Sequence, residues 1–537
     1  MKKSRILAVL LLMSLMFGGL VVRLFFLSKD DGQAKEAAGT HGSYTLKIAA
    51  PRGLIYDTKL RPLVNESSRP IAVVCPQSDI EEQYSTLAPY VSDKSTLLTR
   101  LQQGKPFFVA VSSGSITADG VSIVSTPVRY SDTAVAPHVI GYVNSDGDGV
   151  SGIEKAYDSL LKEAGGTITA SFAVDALGRT LQGLSAEVNE EKGSGSGVVL
   201  TLDKDIQAFT QQAALKYLKS GAAVVMDVKT GDILALSSVP EFSQNDVAAA
   251  ISAANSPLID RAFSAYDLGS VFKISLCAEA IESNIPTSMT VDCTGKIDVS
   301  GRIFRCEKLS GHGVEDMEQG LSNSCNIYFI TLGRLLGGDK ILDMAKRLGF
   351  GSTLELAPGL KPSAGVLPTA QQMKIPAALA NFSLGQGNFM ATPIQVARMI
   401  SAVANDGLLP QARLVKGIVG ADGKMTAIYA GTEPQRVFSS AISGELQQFL
   451  INTVDVGTGM PAKPDIGGAG GKTGTAQTGW VKNGKAIDEA WFAGFYPAQN
   501  PRYAIIVVSE AGKAGGTSAG PVFKQIADHL ASYCGLR

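Results

Sequence analysis

Ser270 and Lys273 stand three residues apart in Gly269-Ser270-Val271-Phe272-Lys273, just ahead of the apolar run Ile274 to Ala278. Gly269 breaks the chain, and the pattern behind it turns helical to about Glu282, which predicts Ser270 in the first turn of a helix. Residues three apart share a helix face, so the lysine amine is expected beside the serine hydroxyl. A serine is a poor nucleophile until a neighbouring base takes its proton. A lysine kept neutral by its surroundings can be that base. The backbone N–H groups at a helix start suit an oxyanion forming nearby.

The spacing is cheap by itself, since Ser159-Leu160-Leu161-Lys162 repeats it. Two further groups follow Ser270 in order. Ser324-Cys325-Asn326 lies 54 residues on, where one helical pattern breaks and another begins at Asn326. Its hydroxyl and carboxamide could hydrogen-bond a nucleophilic centre and a peptide-like substrate. Lys472-Thr473-Gly474-Thr475 lies 148 residues beyond Ser324, preceded by Gly467, Gly468, Gly470 and Gly471. It reads as an edge strand able to pair with an extended peptide, with a cation and two hydroxyls for a carboxylate. Each group has a decoy, Ser243-Gln244-Asn245 for the second and Lys229-Thr230-Gly231 for the third. The decoys read as a loop cap and a tight turn.

The elements that must position these groups are many. At 537 residues the chain is too long for one domain. It is 18% charged and 45% apolar with 58 glycines, a globular composition. The net charge of −1 points to no nucleic-acid partner. Ile6 to Val22 is an uncharged apolar run of seventeen residues, behind Lys2, Lys3 and Arg5. This predicts a single-pass membrane anchor with a cytoplasmic N-terminus and the remainder outside the cell. A cleaved signal peptide is the rival, disfavoured by the length of the run and the lack of a small-residue site directly after it. Among the six cysteines, Cys293 and Cys306 flank a stretch read as a hairpin turning at Ser300-Gly301. A disulfide between them is one outcome outside the cell, left open here. No Cys/His spacing resembles a zinc site, and His312 reads as a turn residue.

Residues 29 to 42 read as a linker, followed by mixed short strands and helices to about residue 202. A new pattern starts at Asp203. Strands at Ala222 to Asp227 and Asp232 to Ser237, a helical middle, and strands at Gly471 to Thr478, Glu489 to Tyr496 and Tyr503 to Ser509 predict one sheet built from both ends of a domain. The chain is thus divided into 1–28 (tail and anchor), 29–202 (non-catalytic module) and 203–537 (catalytic domain).

The three groups in this order are the signature set of penicillin-binding proteins and serine β-lactamases. The chain resembles the class B penicillin-binding proteins, membrane-anchored D,D-transpeptidases of peptidoglycan synthesis. Pro51-Arg52-Gly53-Leu54-Ile55-Tyr56-Asp57, Ala136 to Tyr142, Gly149 to Glu154, Gly385-Gln386-Gly387, Thr392 to Gln395 and Trp491 to Phe495 extend the resemblance over nearly the whole chain. The turn after Asp57 departs from it in lacking a glycine. The resemblance implies an α+β fold: an N-terminal transmembrane helix, a small elongated α+β module, and a transpeptidase domain with a central antiparallel sheet packed by helices. It implies Ser270 as nucleophile, Lys273 as base, Ser324 and Asn326 as proton relay and substrate contact, and Lys472, Thr473, Gly474 and Thr475 as a carboxylate-binding strand. Peptidoglycan stem peptides, β-lactam antibiotics and a membrane glycan polymerase are the implied partners, with a role in cell shape or division and with no metal or cofactor required.

The space before residue 203 is too small for a glycosyltransferase domain, so a bifunctional enzyme is not expected. A D,D-carboxypeptidase using water as acceptor is the nearest rival. A non-catalytic β-lactam-binding scaffold or sensor is the rival from another class, disfavoured by the intact Ser270, Lys273 and Lys472.

Overall fold

The computed structural model describes residues 2–29, 42–133, 135–181, 183–482 and 485–536. The linker expected over 29–42 therefore lies almost wholly outside the described residues. A helix runs Lys2–Lys29, and its described side chains, at 9–23 and 25, are all exposed. Among the described residues, no helix is long and apolar enough to cross a membrane.

Packing gathers the chain into two interleaved units, one of residues 1–51, 67–129 and 165–193, the other of 52–66, 130–164 and 194–537. The first carries two antiparallel three-stranded sheets. Ser43–Ala49, Thr167–Ala173 and Glu187–Glu191 form one, and Phe107–Ala110, Ser67–Val74 and Val121–Val128 the other. Helices Ile80–Leu87 and Lys94–Gln103 begin at Asp79 and Asp93, whose carboxylates accept from the orphan N–H groups of the first turn. Leu87, Leu97 and Leu101 from these helices pack with Ala72 and Val74.

The second unit is built on a five-stranded sheet. Its strands are β1 (Gly221–Asp227), β2 (Ile233–Val239), β3 (Gly470–Lys482), β4 (Lys485–Tyr496) and β5 (Tyr503–Gly512), in the order β2-β1-β5-β4-β3. Every neighbouring pair is antiparallel. Both ends of the domain supply the sheet, as the sequence pattern predicts. Its two faces are buried, and alternation along each strand sorts side chains between them. Val224, Met226, Trp491, Ile506 and Val508 join the core that contains residues of helices Lys273–Glu282 and Pro393–Ala404. Val225, Phe492, Ile505 and Val507 join the core that contains residues of helices Lys204–Tyr217 and Gly520–Tyr533. Covering on both faces explains why β1 and β5 read as nearly continuous apolar runs.

Two of the quoted N-terminal motifs meet inside this unit. The Arg52 guanidinium donates to Glu154 Oε2 at 2.9 Å, and Tyr130 donates to Glu154 Oε1 at 3.0 Å. A Cβ on Gly53 would stand 2.5 Å from Ala164 Cβ and 2.6 Å from the Ser196 carbonyl, so that position has no room for a side chain.

Candidate active site

The turn that carries Ser270 is fixed from three directions. Ser270 lies in a 3-10 turn, Gly269–Phe272, that continues without a break into the helix Lys273–Glu282, so the expected first turn is tighter than α-helical. Gly269 takes φ +59°, and its N–H donates to the Gly385 carbonyl at 2.8 Å. This contact gives a structural reason for the glycine at 385, where a Cβ would stand 2.1 Å from the Gly269 carbonyl oxygen. Trp491 is fully buried, and its indole N–H donates to the Asp267 carbonyl at 2.9 Å, tying β4 to the approach to the turn. Trp491 and Phe492 are both fully buried packing residues.

Behind Ser270, Lys273 is completely buried. Its Nζ lies 2.8 Å from the Ser324 carbonyl, 2.8 Å from Asn326 Oδ1 and 3.3 Å from Ser324 Oγ. Asn326 Nδ2 donates to the Arg305 carbonyl at 3.1 Å, which sets the amide so that its oxygen faces the lysine. Ser324 takes φ +58°, a left-handed conformation that residues other than glycine rarely enter. Burial lowers the Lys273 amine to about 8, and the Glu307 carboxylate opposes part of that effect.

The partners of Lys273 decide its chemistry. The Ser324 carbonyl and Asn326 Oδ1 can only accept, so two hydrogens of the amine go to them in either protonation state, with Ser324 Oγ as the third neighbour. Among the described residues, the hydrogen bonds of this amine go to Ser324 and Asn326 rather than to Ser270.

The third motif lies on β3, an edge strand, as the sequence predicts. Lys472 is fully buried, and its Nζ donates to the Thr473 carbonyl at 3.0 Å. Burial, then the nearby Lys273, drives its amine well below the usual lysine range. Thr473 Oγ1 donates to Thr458 Oγ1 at 2.9 Å, and Thr475 Oγ1 accepts from the Gly515 N–H at 3.3 Å. A Cβ on Gly474 would stand 2.9 Å from the Leu268 carbonyl and 3.0 Å from Val271, so the glycine lets the strand press against the turn that carries Ser270.

A cavity of about 480 Å3 is lined by Ser270, Asn326 and Thr475, one residue from each motif, and by Phe304 and Cys306 of the facing hairpin. A cavity of about 550 Å3 near Tyr157, Arg413 and Tyr429 contains none of the motif residues.

Several participants are invisible to motif reading. Thr458 comes from an irregular stretch and Gly515 opens the four-residue helix Gly515–Ser518, neither with a pattern of its own in the sequence. The hairpin does turn at Ser300-Gly301, between Lys296–Val299 and Arg302–Arg305. Cys293, however, lies on a different strand and pairs with Gly313. All six cysteines are free, so Cys293 and Cys306 are not bridged. Although no Cys/His spacing resembles a zinc site, Cys293, Cys306, His312 and Cys325 converge in space. Their spacing, with twelve, five and twelve residues between successive members, lacks the short Cys-x-x-Cys pairs that sequence reading relies on.

Residues 221–528 match the penicillin binding protein transpeptidase domain, and residues 47–200 match the penicillin-binding protein dimerisation domain. The chain is 32% identical over 428 residues to the stage V sporulation protein D of Bacillus subtilis, covering 76% of this chain and 64% of that protein. It is 28% identical over 456 residues to the peptidoglycan D,D-transpeptidase MrdA of Acinetobacter baumannii, covering 74% and 66%. The chain thus spans slightly less than two thirds of the length of these relatives. Among solved structures, the D,D-transpeptidase domain of a peptidoglycan glycosyltransferase from Eggerthella lenta superposes with a TM-score of 0.66 at 26% identity, covering 91% of this chain and 100% of that one. Penicillin-binding protein 3 from Mycobacterium tuberculosis in complex with aztreonam superposes with a TM-score of 0.67 at 25% identity, covering 92% and 98%.

Proposed function

The chain belongs to the penicillin-binding protein transpeptidase family, and from that premise we propose that it is a peptidoglycan D,D-transpeptidase acting through an acyl-enzyme on Ser270. The observation that carries the reading is the buried Lys273 amine, with its hydrogens engaged by Ser324 and Asn326 and Ser270 facing a cavity bordered by Thr475.

Ser270 Oγ attacks the carbonyl carbon between two D-alanines of a stem peptide, and Lys273 Nζ accepts its proton. The backbone N–H groups of Ser270 and Thr475 receive the oxyanion, a contribution of roughly 3–4 kcal/mol per donor. The carbonyl re-forms as the C–N bond breaks, and D-alanine leaves with a proton relayed through the Ser324 hydroxyl. An amine from a neighbouring strand then displaces Ser270 from the ester, completing the crosslink and returning the serine proton. Asn326 orients the substrate amide, while Lys472, Thr473 and Thr475 hold the terminal carboxylate. A β-lactam resembles the D-alanyl-D-alanine end and stops at the acyl stage. The M. tuberculosis relative bound to aztreonam supports that ligand class.

The setting is part of the same proposal. Exposed apolar side chains from Val9 to Val22 and at Phe25, with Lys2, Lys3 and Arg5 before the apolar run in the sequence, support a single-pass anchor and an extracytoplasmic catalytic domain. A crosslinking enzyme acts on nascent glycan strands, so a membrane glycan polymerase is its expected partner.

Intact-mass spectrometry after incubation with penicillin tests the assignment. One adduct, mapped to Ser270 and absent from Ser270→Ala, is the expected result. Absence of an adduct, or labelling of another side chain, overturns it.

A further inference from the structure

Three thiols and one imidazole meet beneath the Ser324-Cys325-Asn326 turn. Cys293 ends the strand Val291–Cys293, Cys306 directly follows the strand Arg302–Arg305, His312 precedes the strand Gly313–Glu315, and Cys325 caps the helix Asn326–Leu336. Their ligand atoms all lie within 4.8 Å of one another. We propose that Cys293, Cys306, His312 and Cys325 form a structural zinc site that holds the Ser324–Asn326 turn in its working position.

Tetrahedral geometry gives a quantitative check. With Zn–S near 2.3 Å and Zn–N near 2.0–2.1 Å, a nitrogen and a sulfur on one ion stand about 3.6 Å apart. His312 Nδ1 lies 3.6 Å from Cys293 Sγ and 3.5 Å from Cys306 Sγ. Two backbone amides also point at the sulfurs, the Asn326 N–H at Cys306 Sγ and the Tyr328 N–H at Cys325 Sγ, both at 3.4 Å. Such N–H groups orient and stabilise thiolate ligands, a role that conserves outer-shell partners around metals.

A further buried polar atom faces the group. Glu315 is 3% exposed, and its Oε2 has no hydrogen-bond partner. It lies 3.8 Å from His312 Nδ1. A cation among the four ligands offers this carboxylate an electrostatic partner. Three soft thiolates and one imidazole select zinc over the hard cations magnesium and calcium. On binding, the three thiols release their protons to solvent.

The ion would join the hairpin that walls the cavity to the turn that presents Ser324 and Asn326 to Lys273. Binding follows from the four side chains alone, whereas its effect on acylation rests on the transpeptidase reading. The zinc would be a positioning group: it would act through Cys325, which lies between Ser324 and Asn326, and not on the bond being broken.

The full chain, purified under reducing conditions and loaded with zinc chloride, is expected to retain one zinc ion per chain by plasma mass spectrometry. Cobalt substitution should produce the thiolate charge-transfer and tetrahedral d–d bands. Cys293→Ser and His312→Ala should weaken zinc binding by at least the roughly 10–100-fold seen on loss of a mere outer-shell partner, whereas Cys75→Ser should not. If these variants fail to fold, chelation of the wild-type chain decides: zinc, but not magnesium, should restore the thermal melt and the rate of fluorescent-penicillin labelling. A zinc-free chain after loading, unchanged affinity in both ligand variants, a disulfide among these thiols in the exported protein, or chelation without effect on either readout overturns the proposal. Zinc retained by a chain that penicillin never labels would sink the transpeptidase reading and leave the metal site standing.

Discussion

Ser159-Leu160-Leu161-Lys162 and Ser270-Val271-Phe272-Lys273 share one spacing and end in opposite chemistry. Lys162 has a side chain 40% exposed and pairs with the carboxylates of Asp148 and Asp158, which raise its amine further above the physiological range. Lys273 is wholly buried among uncharged acceptors and lowered to about 8. Two carboxylates keep the first amine a cation. Burial, beside neutral oxygens, lowers the second instead. Spacing therefore nominates a Ser/Lys pair, and the surrounding dielectric and partners decide whether it can work.

Removing the base tests that contrast most severely. Lys273→Ala should slow penicillin acylation of Ser270 by roughly 10²–10⁴-fold, the usual worth of a general base, in stopped-flow labelling with a fluorescent penicillin. Labelling at the wild-type rate would show that another group takes the proton.

The contrast also has a direction in pH. The free amine is the reactive form, and it accumulates above its pKa, so acylation should fall as pH drops through about 8. Asn326→Asp replaces the neutral oxygen 2.8 Å from Lys273 Nζ with a carboxylate and gives Lys273 the kind of partner Lys162 has. A nearby opposite charge moves such groups by about one to three pH units. The midpoint of the acylation profile should move upward by that amount, leaving little labelling at neutral pH. An unshifted profile would mean that Lys273 does not control the rate.

Much of this was legible in advance, and what was not has a physical reason. The edge strand at Lys472 announced itself through its preceding glycines, and the helix start at Asn326 through the break before it. The inner strands β1 and β5 were readable because both faces are covered, so nearly every position there is apolar. The pairing of Arg52 with Glu154 was hidden, because a buried ion pair between residues 102 apart leaves no local periodicity. The Cys293, Cys306, His312 and Cys325 group escaped for the same reason: each member belongs to a different element. Thr458, the partner of Thr473, sits in a stretch whose polarity reads as an ordinary loop.

Gly269 shows what the second pair needs from its backbone. At φ +59° an alanine costs about 1–2 kcal/mol, and its Cβ would stand 2.9 Å from the Thr475 carbonyl. Gly269→Ala should therefore lower stability by at least that much in chemical denaturation. It should also slow acylation by pushing the nucleophile turn away from β3. Wild-type stability and rate together would remove the close approach of turn and strand from the account.

The smallest effect should come from Lys162→Ala, although it alters the same motif by the same substitution. Its loss does not strand Asp158, which still accepts from the Arg52 guanidinium at 2.8 Å and from the Gly149 N–H at 2.7 Å. Exposed ion pairs contribute little to stability, so the denaturation midpoint should stay close to that of the wild type. Penicillin labelling of Ser270 should keep its rate and its pH profile, because nothing that sets the Lys273 amine involves Lys162. A variant at 162 that slowed acylation as strongly as one at 273 would mean that burial and neutral partners are not what separates the two lysines.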